Sequence, residues 1–267
     1  MNFNWLVLPT LAGALLLFVM GQRSLRCCRT FRQKLALSLL WLVLALPGIL
    51  LPLYYLHWFD DALWFYEFRS FPYSELTAMV AGLFAGAVAE LTRGRKLISR
   101  GFLIVLLVLG IVAPHLKPIL APLASQRFSE SWNEDVCLQS TPSSCGAASA
   151  ATLFRRFGGS LSEQDLAREC FTYRGGTENW YIARAFRKRG YKVRYRMGEG
   201  LPADLRTPAI AGVRVDGLGH FIAILEDSGD AFVTGDPLVG RKVVDKDEMD
   251  RKFDFTGFFM EIESRGE

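Results

Sequence analysis

Four long apolar segments in the first 122 residues constrain the fold of this chain more than any other feature. The segments are Phe3–Gly21, Leu35–Leu56, Tyr73–Leu91 and Gly101–Leu120. A helix needs about 20 mainly apolar residues to cross about 30 Å of hydrocarbon. Residues 1–122 contain only 11 Lys/Arg and 5 Asp/Glu, most of them between the segments. The sequence therefore predicts a transmembrane domain of four helices over residues 1–122.

The first segment has the position of a secretory signal peptide but lacks two of its features. Met1–Trp5 contains no Lys or Arg, and no clear small-x-small cleavage site precedes the basic loop that follows. We therefore expect Phe3–Gly21 to be retained as the first span. Its cleavage would leave three spans and would not change the side on which the chain after Leu120 lies.

Basic residues alternate from loop to loop, and this alternation predicts the orientation. Gln22–Lys34 carries five Lys/Arg, His57–Pro72 carries one against three acidic residues, and Thr92–Arg100 carries four. Because Lys and Arg are retained on the cytoplasmic side, the N-terminus and everything after Leu120 are expected to be extracytoplasmic. The basic residues of the two inner loops are Arg23, Arg26, Arg29, Arg32, Lys34, Arg93, Arg95, Lys96 and Arg100.

Three ionisable residues and one aromatic loop lie at the ends of the predicted spans. We interpret Glu75, Glu90 and His115 as solvated groups at the membrane interface, with a functional role as the alternative. The outer loop His57–Pro72 suits the aromatic belt of a membrane protein, and contact with a substrate is left open. Its aromatic residues are His57, Trp58, Phe59, Trp64, Phe65 and Tyr66.

Residues 123–267 differ from the first part, with 20 Lys/Arg and 22 Asp/Glu. We interpret 123–135 as a linker and 136–267 as one domain that is long enough for its own core. Three helical patterns followed by strand patterns predict an α+β fold. The predicted helices are Cys145–Phe157, Ser162–Cys170 and Glu178–Arg189; the predicted strands are Tyr191–Arg196, Pro208–Val215, His220–Glu226, Ala231–Asp236 and Gly257–Glu263, with a further short helix within Lys242–Met260.

Cys145 lies at the predicted start of a helix, after the candidate N-caps Ser143 and Ser144. The N–H groups at a helix N-terminus stabilise an anion and so favour the thiolate form of a thiol. Small residues follow Cys145 and leave room for an extended peptide. A buried structural cysteine, the alternative, more usually lies in mid-helix among large apolar neighbours. The position therefore favours a nucleophile.

His220 is the one histidine of residues 123–267 and is therefore the candidate base. The sequence Asp227-Ser228-Gly229 fits a three-residue hairpin loop, which would pair Glu226 with Asp230. In that register His220 lies directly opposite Asp236 on one face of the hairpin. A carboxylate there fixes the tautomer of the imidazole and stabilises its charged form. A histidine bonded to backbone and an Asp-Pro turn are the structural alternatives.

Gln139 precedes Cys145 by six residues and completes the candidate set. Its side-chain amide can donate a hydrogen bond where negative charge develops on oxygen during acyl transfer. Taken by itself, Gln139 is interpreted more simply as a loop residue. We expect it to act as the oxyanion donor only in company with Cys145 and His220.

Six short motifs follow one another over about residues 136–263: Gln139-x5-Cys145-Gly146-Ala147-Ala148, Gly175-Gly176-Thr177, Gly190-Tyr191, Pro208-Ala209-Ile210, Gly219-His220-Phe221 and Gly235-Asp236-Pro237. In this order they resemble the C39 family of bacterial cysteine peptidases. The resemblance implies a papain-like fold with Cys145 as nucleophile, His220 as base, Asp236 as orienting carboxylate and Gln139 as oxyanion donor. The best-known members belong to peptide-exporting ABC transporters and cut leader peptides after a Gly-Gly pair. This chain has no Walker-type loop, and Ser144 stands where Asp is common in the family.

Together these features predict a cysteine peptidase, anchored in a bacterial inner membrane, that cleaves a peptide or protein precursor on the extracytoplasmic side. The expected partners are the precursor, the lipid bilayer and possible export machinery. A catalytically silent C39-like module that grips a peptide for export or sensing is the main alternative. Acyl transfer to an amine instead of water would use the same residues.

The remaining cysteines and charges predict further properties. An oxidising compartment would permit a disulfide between Cys137 and Cys170, which would leave Cys145 free. We expect no metal site and no cofactor, because one histidine and scattered carboxylates lack the spacing of metal ligands. Nucleic-acid binding is not expected, because the basic cluster between Arg184 and Arg196 is local.

Overall fold

The computed structural model describes residues 3–54, 58–59, 61–94, 99–123 and 128–264. His57 of the predicted aromatic loop and Arg95 and Lys96 of the second basic loop lie outside the described residues. So do 124–127 of the predicted linker and 265–267 of the predicted domain. The chain forms two compact units: one contains Phe3–Asp60 and Pro72–Lys117, and the other contains Asp61–Phe71 and Pro118–Glu267.

The first unit consists of apolar helices. They are α1 (Val7–Cys27), α2 (Phe31–Leu53), a 3-10 helix (Ser74–Val80) that continues into α4 (Ala81–Leu91), and α5 (Arg100–Leu120). Four helical stretches are long and apolar enough to cross a membrane: Val7–Cys27, Phe31–Leu53, Ser74–Leu91 and Arg100–Leu120. Each overlaps one predicted segment.

The first basic loop is shorter than the sequence predicted. α1 continues to Cys27 and α2 begins at Phe31, so only three residues connect the two helices. Thr30 ends the loop because its hydroxyl accepts the N–H of Gln33, while the Gln33 side chain accepts the N–H of Thr30. Most of the basic residues assigned to this loop therefore lie on helix ends.

Close packing and buried ionisable side chains characterise the interior of this unit. A Cβ added at Gly82 on α4 would lie 2.1 Å from the carbonyl oxygen of Ala14 on α1, so only glycine allows this approach. Glu90 on α4 forms an ion pair with Arg26. The interpretation of Glu75 and His115 as solvated groups is wrong, because they are only 2% and 7% exposed.

The second unit has an α+β fold. Its helices are α6 (Cys145–Arg156), α7 (Glu163–Glu169), α8 (Asn179–Lys188) and α9 (Lys246–Lys252), and its strands are β1 (Ser131–Asn133), β2 (Val136–Leu138), β3 (Lys192–Met197), β4 (Ala209–Val215), β5 (Leu218–Asp227), β6 (Ala231–Asp236), β7 (Gly240–Asp245) and β8 (Asp254–Glu263). β1 and β2 form a hairpin. The other six form an antiparallel sheet in the order β3-β8-β4-β5-β6-β7. Strand β7 was not predicted, because its polar and charged residues hide the usual strand pattern, as is typical of an edge strand.

One helix of the second unit comes from the loop between the second and third predicted spans. This helix, α3 (Leu63–Ser70), buries Phe65 and Tyr66, which are 1% and 5% exposed. Phe65 meets the Trp180 ring edge to face at a centroid distance of 6.3 Å, and Tyr66 meets Phe258 in the same way at 5.7 Å. The aromatic-belt interpretation is therefore wrong for Phe65 and Tyr66, because they belong to the core of this unit.

Polar contacts hold α3 in the same place. Arg187 on α8 forms an ion pair with Glu67 at 2.5 Å. The guanidinium of Arg184, also on α8, donates two hydrogen bonds to the carbonyl oxygen of Arg69. The hydroxyls of Ser70 and Tyr195 are hydrogen-bonded to each other. These contacts explain part of the basic cluster on α8: Arg184 and Arg187 bind α3.

Candidate active site

Cys145 is the first residue of α6 and is 6% exposed. Ser144 precedes it at the N-cap position, but its hydroxyl does not cap the helix. It instead accepts the N–H of Thr141 and donates to the carbonyl oxygen of Thr141. The prediction that α6 begins here is confirmed, whereas side-chain capping by Ser144 is wrong. The first N–H groups of α6 are therefore left without a side-chain cap beside the thiol, where they can stabilise an anion.

Helix α6 lies close against the sheet just after the cysteine. A Cβ added at Gly146 would lie 3.0–3.2 Å from atoms of Ile182, Thr177 and Phe221, which is tighter than ordinary contact. One turn on, the hydroxyl of Ser149 donates to the carbonyl oxygen of Phe221 at 3.1 Å. Because Phe221 follows His220 on β5, the two contacts with Phe221 hold the start of α6 against the strand that carries the histidine.

His220 and Asp236 lie within hydrogen-bond distance, with His220 Nε2 2.9 Å from Asp236 Oδ1. The predicted register between their strands is nevertheless wrong. Ala223 pairs with Gly235, and a bulge follows, whereas the prediction placed His220 directly opposite Asp236. The hairpin loop also differs from the predicted Asp227-Ser228-Gly229, because Asp227 itself pairs with Phe232 and residues 228–231 lie between them.

The loop and the bulge together shift the register by a net two residues. Since side chains alternate between the faces of a strand, a shift of two keeps His220 and Asp236 on the same face as diagonal neighbours. A shift of one would have turned the carboxylate to the other face.

A tight turn at Asp216 and Gly217, with φ of 50° and 76°, connects β4 to β5. This turn begins the strand two residues before His220.

Charge and burial act in opposite directions on the imidazole. Burial lowers the pKa of His220, while hydrogen bonds to Asp236 and Cys145 and their charges outweigh it and raise the pKa to about 9. Since Nε2 faces Asp236, Nδ1 is the ring nitrogen left for the thiol. Burial raises the pKa of Asp236, but hydrogen bonds from His220 and from the N–H of Leu238 lower it below its ordinary value. The site therefore favours a charged imidazole beside the Asp236 carboxylate.

Gln139 lies beside the turn that follows Asp236. Its backbone N–H donates to the carbonyl oxygen of Pro237, and its side-chain Nε2 donates to the carbonyl oxygen of Thr141, both at 2.9 Å. The second contact fixes the orientation of the amide, because the opposite orientation would set two oxygens against each other. A side-chain amide has two N–H groups, and Thr141 uses one of them.

A buried glutamate near the start of the predicted helix Ser162–Cys170 contacts this loop. Glu163, the first residue of α7, is 0% exposed. Its Oε1 accepts the N–H of Ser140 at 2.9 Å, and its Oε2 accepts the Ser140 hydroxyl. A glutamate just after an N-cap serine is ordinary at a helix start, so the pattern gave no sign of this contact.

The hypothesis of a disulfide between Cys137 and Cys170 is wrong, because both are buried free thiols. Cys137 lies on β2, where its N–H donates to the hydroxyl of Thr152, and Cys170 lies at the end of α7. Burial, followed by the charges of Glu163 and Glu130, raises the pKa of Cys137 to about 12. Among the residues that the structure describes, no group of three or more His, Cys, Asp or Glu side chains could hold a metal ion.

Comparison with known proteins identifies related sequences for the second half of the chain. The model of the peptidase C39 family matches residues 133–266. An uncharacterized protein of Methanothermobacter marburgensis is 30% identical over 131 residues, which are 49% of this chain and 89% of that protein. The probable functional amyloid protease FapD of Pseudomonas aeruginosa is 26% identical over 130 residues, which are 44% of this chain and 56% of FapD.

Solved structures of two peptidase domains are also similar. One is the peptidase domain of Streptococcus ComA, a bifunctional ABC transporter involved in quorum sensing, with 20% identity and a TM-score of 0.41 over 52% of this chain and 100% of that domain. The other is a double glycine motif protease from an AMS/PCAT transporter in complex with its leader peptide. It has 22% identity and a TM-score of 0.42, over 54% of this chain and 98% of that protein.

Proposed function

The chain belongs to the peptidase C39 family, and on that premise we propose that it is a membrane-anchored cysteine peptidase. Cys145 is the nucleophile, His220 the general base and Asp236 the carboxylate that orients the imidazole. The observation that carries the proposal is the hydrogen bond of 2.9 Å between His220 and Asp236, with the other ring nitrogen left for Cys145. The FapD relative, which is itself named a protease, also supports peptide-bond cleavage.

The proposed reaction follows from these positions. His220 takes the proton of the Cys145 thiol, and the thiolate attacks the carbonyl carbon of the peptide bond. The carbonyl oxygen becomes negatively charged and accepts hydrogen bonds from the backbone N–H of Cys145 and from the free side-chain N–H of Gln139. The C–N bond then breaks, the amine leaves with the proton from His220, and a thioester remains. Water gives a proton to His220 and attacks the thioester; the C–S bond breaks, and the thiol regains its proton.

We propose that the peptidase is extracytoplasmic. The alternation of basic loops supports this side of the membrane. The fold of α3 gives independent support for the number of crossings, because Asp61–Phe71 forms one compact unit with Pro118–Glu267. Two segments of one unit must lie on the same side of the bilayer, so the chain between them crosses an even number of times. The helical stretches Ser74–Leu91 and Arg100–Leu120 supply two crossings.

Attachment to the bilayer limits the substrates that the site can reach. The proposed substrate is a peptide or protein precursor that emerges from the same membrane or is anchored in it, and the export machinery that delivers it is the proposed partner. A catalytically silent binding module is the less favoured alternative, because a binder needs no thiol beside a base.

Two measurements on the full chain in native membranes test the activity. Cleavage of a peptide library, read by mass spectrometry of new termini, should occur with the unmodified chain and stop in Cys145→Ala. Selective alkylation of Cys145 by iodoacetamide at pH 7 should be lost in His220→Ala and kept in Asp230→Asn, which changes an exposed charge on the same hairpin. Two outcomes would favour the silent module. One is alkylation of Cys145 without any cleavage of the library. The other is acylation of Cys145 by p-nitrophenyl acetate that is never followed by hydrolysis.

A fusion of alkaline phosphatase after Glu267 tests the side of the membrane. The enzyme folds to an active form only outside the cytoplasm, so we expect activity from this fusion. A fusion within Cys28–Thr30 should be inactive. The reverse result would place the peptidase in the cytoplasm and would contradict the orientation.

A further inference from the structure

We propose that Glu163 is a positioning residue for the oxyanion site, because it fixes the loop that carries Gln139. The inference rests on the proposed function, since it assumes that Gln139 donates to the oxyanion. Glu163 lies on α7, outside both the loop and the hairpin of His220 and Asp236. Both of its carboxylate oxygens are occupied by the one residue Ser140, through the backbone N–H at 2.9 Å and through the hydroxyl.

Burial of this carboxylate is costly and therefore calls for a compensating contact. Glu163 is 0% exposed, and among the described parts of the chain its carboxylate is seen to contact Ser140 and no basic side chain. A buried carboxylate without a cation costs several kcal/mol unless hydrogen bonds replace its lost hydration. Ser140 supplies both of the hydrogen bonds seen at Glu163. The contact thus satisfies both buried carboxylate oxygens and fixes the loop at the same time.

Ser140 is the central residue of the segment that positions the oxyanion donor. The Gln139 side chain before it donates to the carbonyl oxygen of Thr141 after it. The Gln139 backbone N–H donates to Pro237, next to the proposed orienting carboxylate. Ser140 lies between these two contacts, so release of its backbone N–H and hydroxyl would let the amide of Gln139 move. A displacement of about 1 Å can cost about 100-fold in rate when a group must meet a developing charge.

A positioning role and a purely structural role of Glu163 predict different effects on two reactions of Cys145. Alkylation of Cys145 by iodoacetamide is a displacement at carbon and develops no oxyanion. Acylation of Cys145 by p-nitrophenyl acetate passes through a tetrahedral intermediate with negative charge on oxygen. The ratio of the acylation rate to the alkylation rate therefore reports on the oxyanion donors and cancels changes in the thiolate fraction. Both probes are small and need no knowledge of the natural substrate.

The test measures this ratio by mass spectrometry of the Cys145 peptide in the full chain. We expect Glu163→Ala to lower the ratio about 10- to 100-fold, with little change in alkylation. Glu163→Gln keeps an acceptor for the Ser140 N–H and should lower it less. Asp165→Ala is the matched control, because it removes an exposed carboxylate of the same helix that contacts Ser162 and not the loop. An unchanged ratio in Glu163→Ala would overturn the inference.

A double-mutant cycle with Gln139→Ala shows whether Glu163 acts through Gln139. If it does, Glu163→Ala causes no further loss in the Gln139→Ala background. Independent and fully additive losses would refute the positioning role. Should Glu163→Ala fail to fold, as judged by alkylation of buried Cys170, Ser140→Ala removes only the hydroxyl contact and should lower the ratio in the same direction. An unchanged ratio in Ser140→Ala would then overturn the inference.

The same data separate this inference from the proposed function. The exposed Cys27 is an internal reference for a thiol without an oxyanion site. A wild-type ratio at Cys145 no higher than that at Cys27, or a ratio unaffected by Gln139→Ala, would contradict the proposed oxyanion site itself. A drop in Gln139→Ala without a drop in Glu163→Ala would contradict only the role of Glu163.

Discussion

Replacement of Asp236 by Asn should lower the pKa of His220 and weaken the folded state at neutral pH. The change keeps the shape of the side chain and an oxygen near Nε2, but it removes the negative charge 2.9 Å from the ring. Burial still lowers the pKa of His220, and of the two residues that raise this pKa only Cys145 remains. An adjacent opposite charge typically moves a pKa by about 1 to 3 units. We therefore expect the His220 pKa to fall by at least about 1 unit, to about 8 or below.

The size of the effect on stability follows from the same pKa. A His220 pKa of about 9 against an ordinary 6.5 corresponds to about 3 kcal/mol of preference for the charged form in the folded state. Because the folded pKa is raised, this stabilisation is fully present below pH 6.5 and is lost as the pH rises through 9. Asp236→Asn should lose about 1.4 kcal/mol or more of it at pH 6, and the difference should shrink at higher pH.

Nuclear magnetic resonance of the full chain with isotope-labelled histidine measures the pKa directly. The chain has three histidines, so His57 and His115 provide internal references for His220. Asp230→Asn is the matched control, because it removes the same charge from an exposed position of the same hairpin. The reasoning would be refuted by a His220 pKa that stays within about half a unit in Asp236→Asn, or by an equal fall in Asp230→Asn.

Three further predictions concern folding and the thiols. Phe65→Ala should reduce the free energy of unfolding by about 3–5 kcal/mol, because it leaves a cavity in the core. Trp64→Ala should reduce it less, because Trp64 is 52% exposed, although its ring meets that of Phe65 edge to face. Denaturant titration in detergent measures both, and equal losses would contradict the docking of α3. Gly146→Ala should lower the free energy of unfolding by about 1–3 kcal/mol and slow alkylation of Cys145, because the added Cβ would lie 3.0–3.2 Å from three side chains. An unchanged unfolding curve would show that these side chains move aside without a loss of stability. Cys137 and Cys170 should not react with N-ethylmaleimide at pH 8 in the folded chain, because both thiols are buried. After denaturation without a reductant, both should react. A disulfide-linked peptide that contains both residues would contradict the free thiols.

The sequence was sufficient for features that depend on local pattern. The apolar segments have the length and composition of membrane-crossing helices, so the four candidate spans were found without long-range information. Helix α6 began at Cys145 as predicted, because small residues and a glycine stop define it locally. The sequence predicted the contact between His220 and Asp236, but the register from which it was predicted was wrong. The contact survived because the error was two residues, which preserves the face of a strand.

Features that depend on distant segments could not be predicted in the same way. The cluster of aromatic residues that includes Phe65 and Tyr66 fits either a membrane interface or a protein core, and only the contacts with α8 and β8 decide between them. Cys137 and Cys170 were paired by elimination, but pairing requires Cβ atoms a few ångströms apart, which no sequence pattern specifies. The contact between Glu163 and Ser140 joins residues 23 positions apart that carry no mutual signal.

By itself the sequence determined the division into a half of four apolar, membrane-length helices and an α+β half, the helix that presents the thiol and the types of residue able to act with it. Hydropathy, charge and helix signals act over a few turns of chain, so they can be read directly. The tertiary structure decided how α6, β5 and β6 meet, that α3 joins the second unit, and which carboxylate holds the Gln139 loop. Those outcomes depend on loop lengths, a bulge and the packing of buried side chains, whose energies arise only when distant parts of the chain come together.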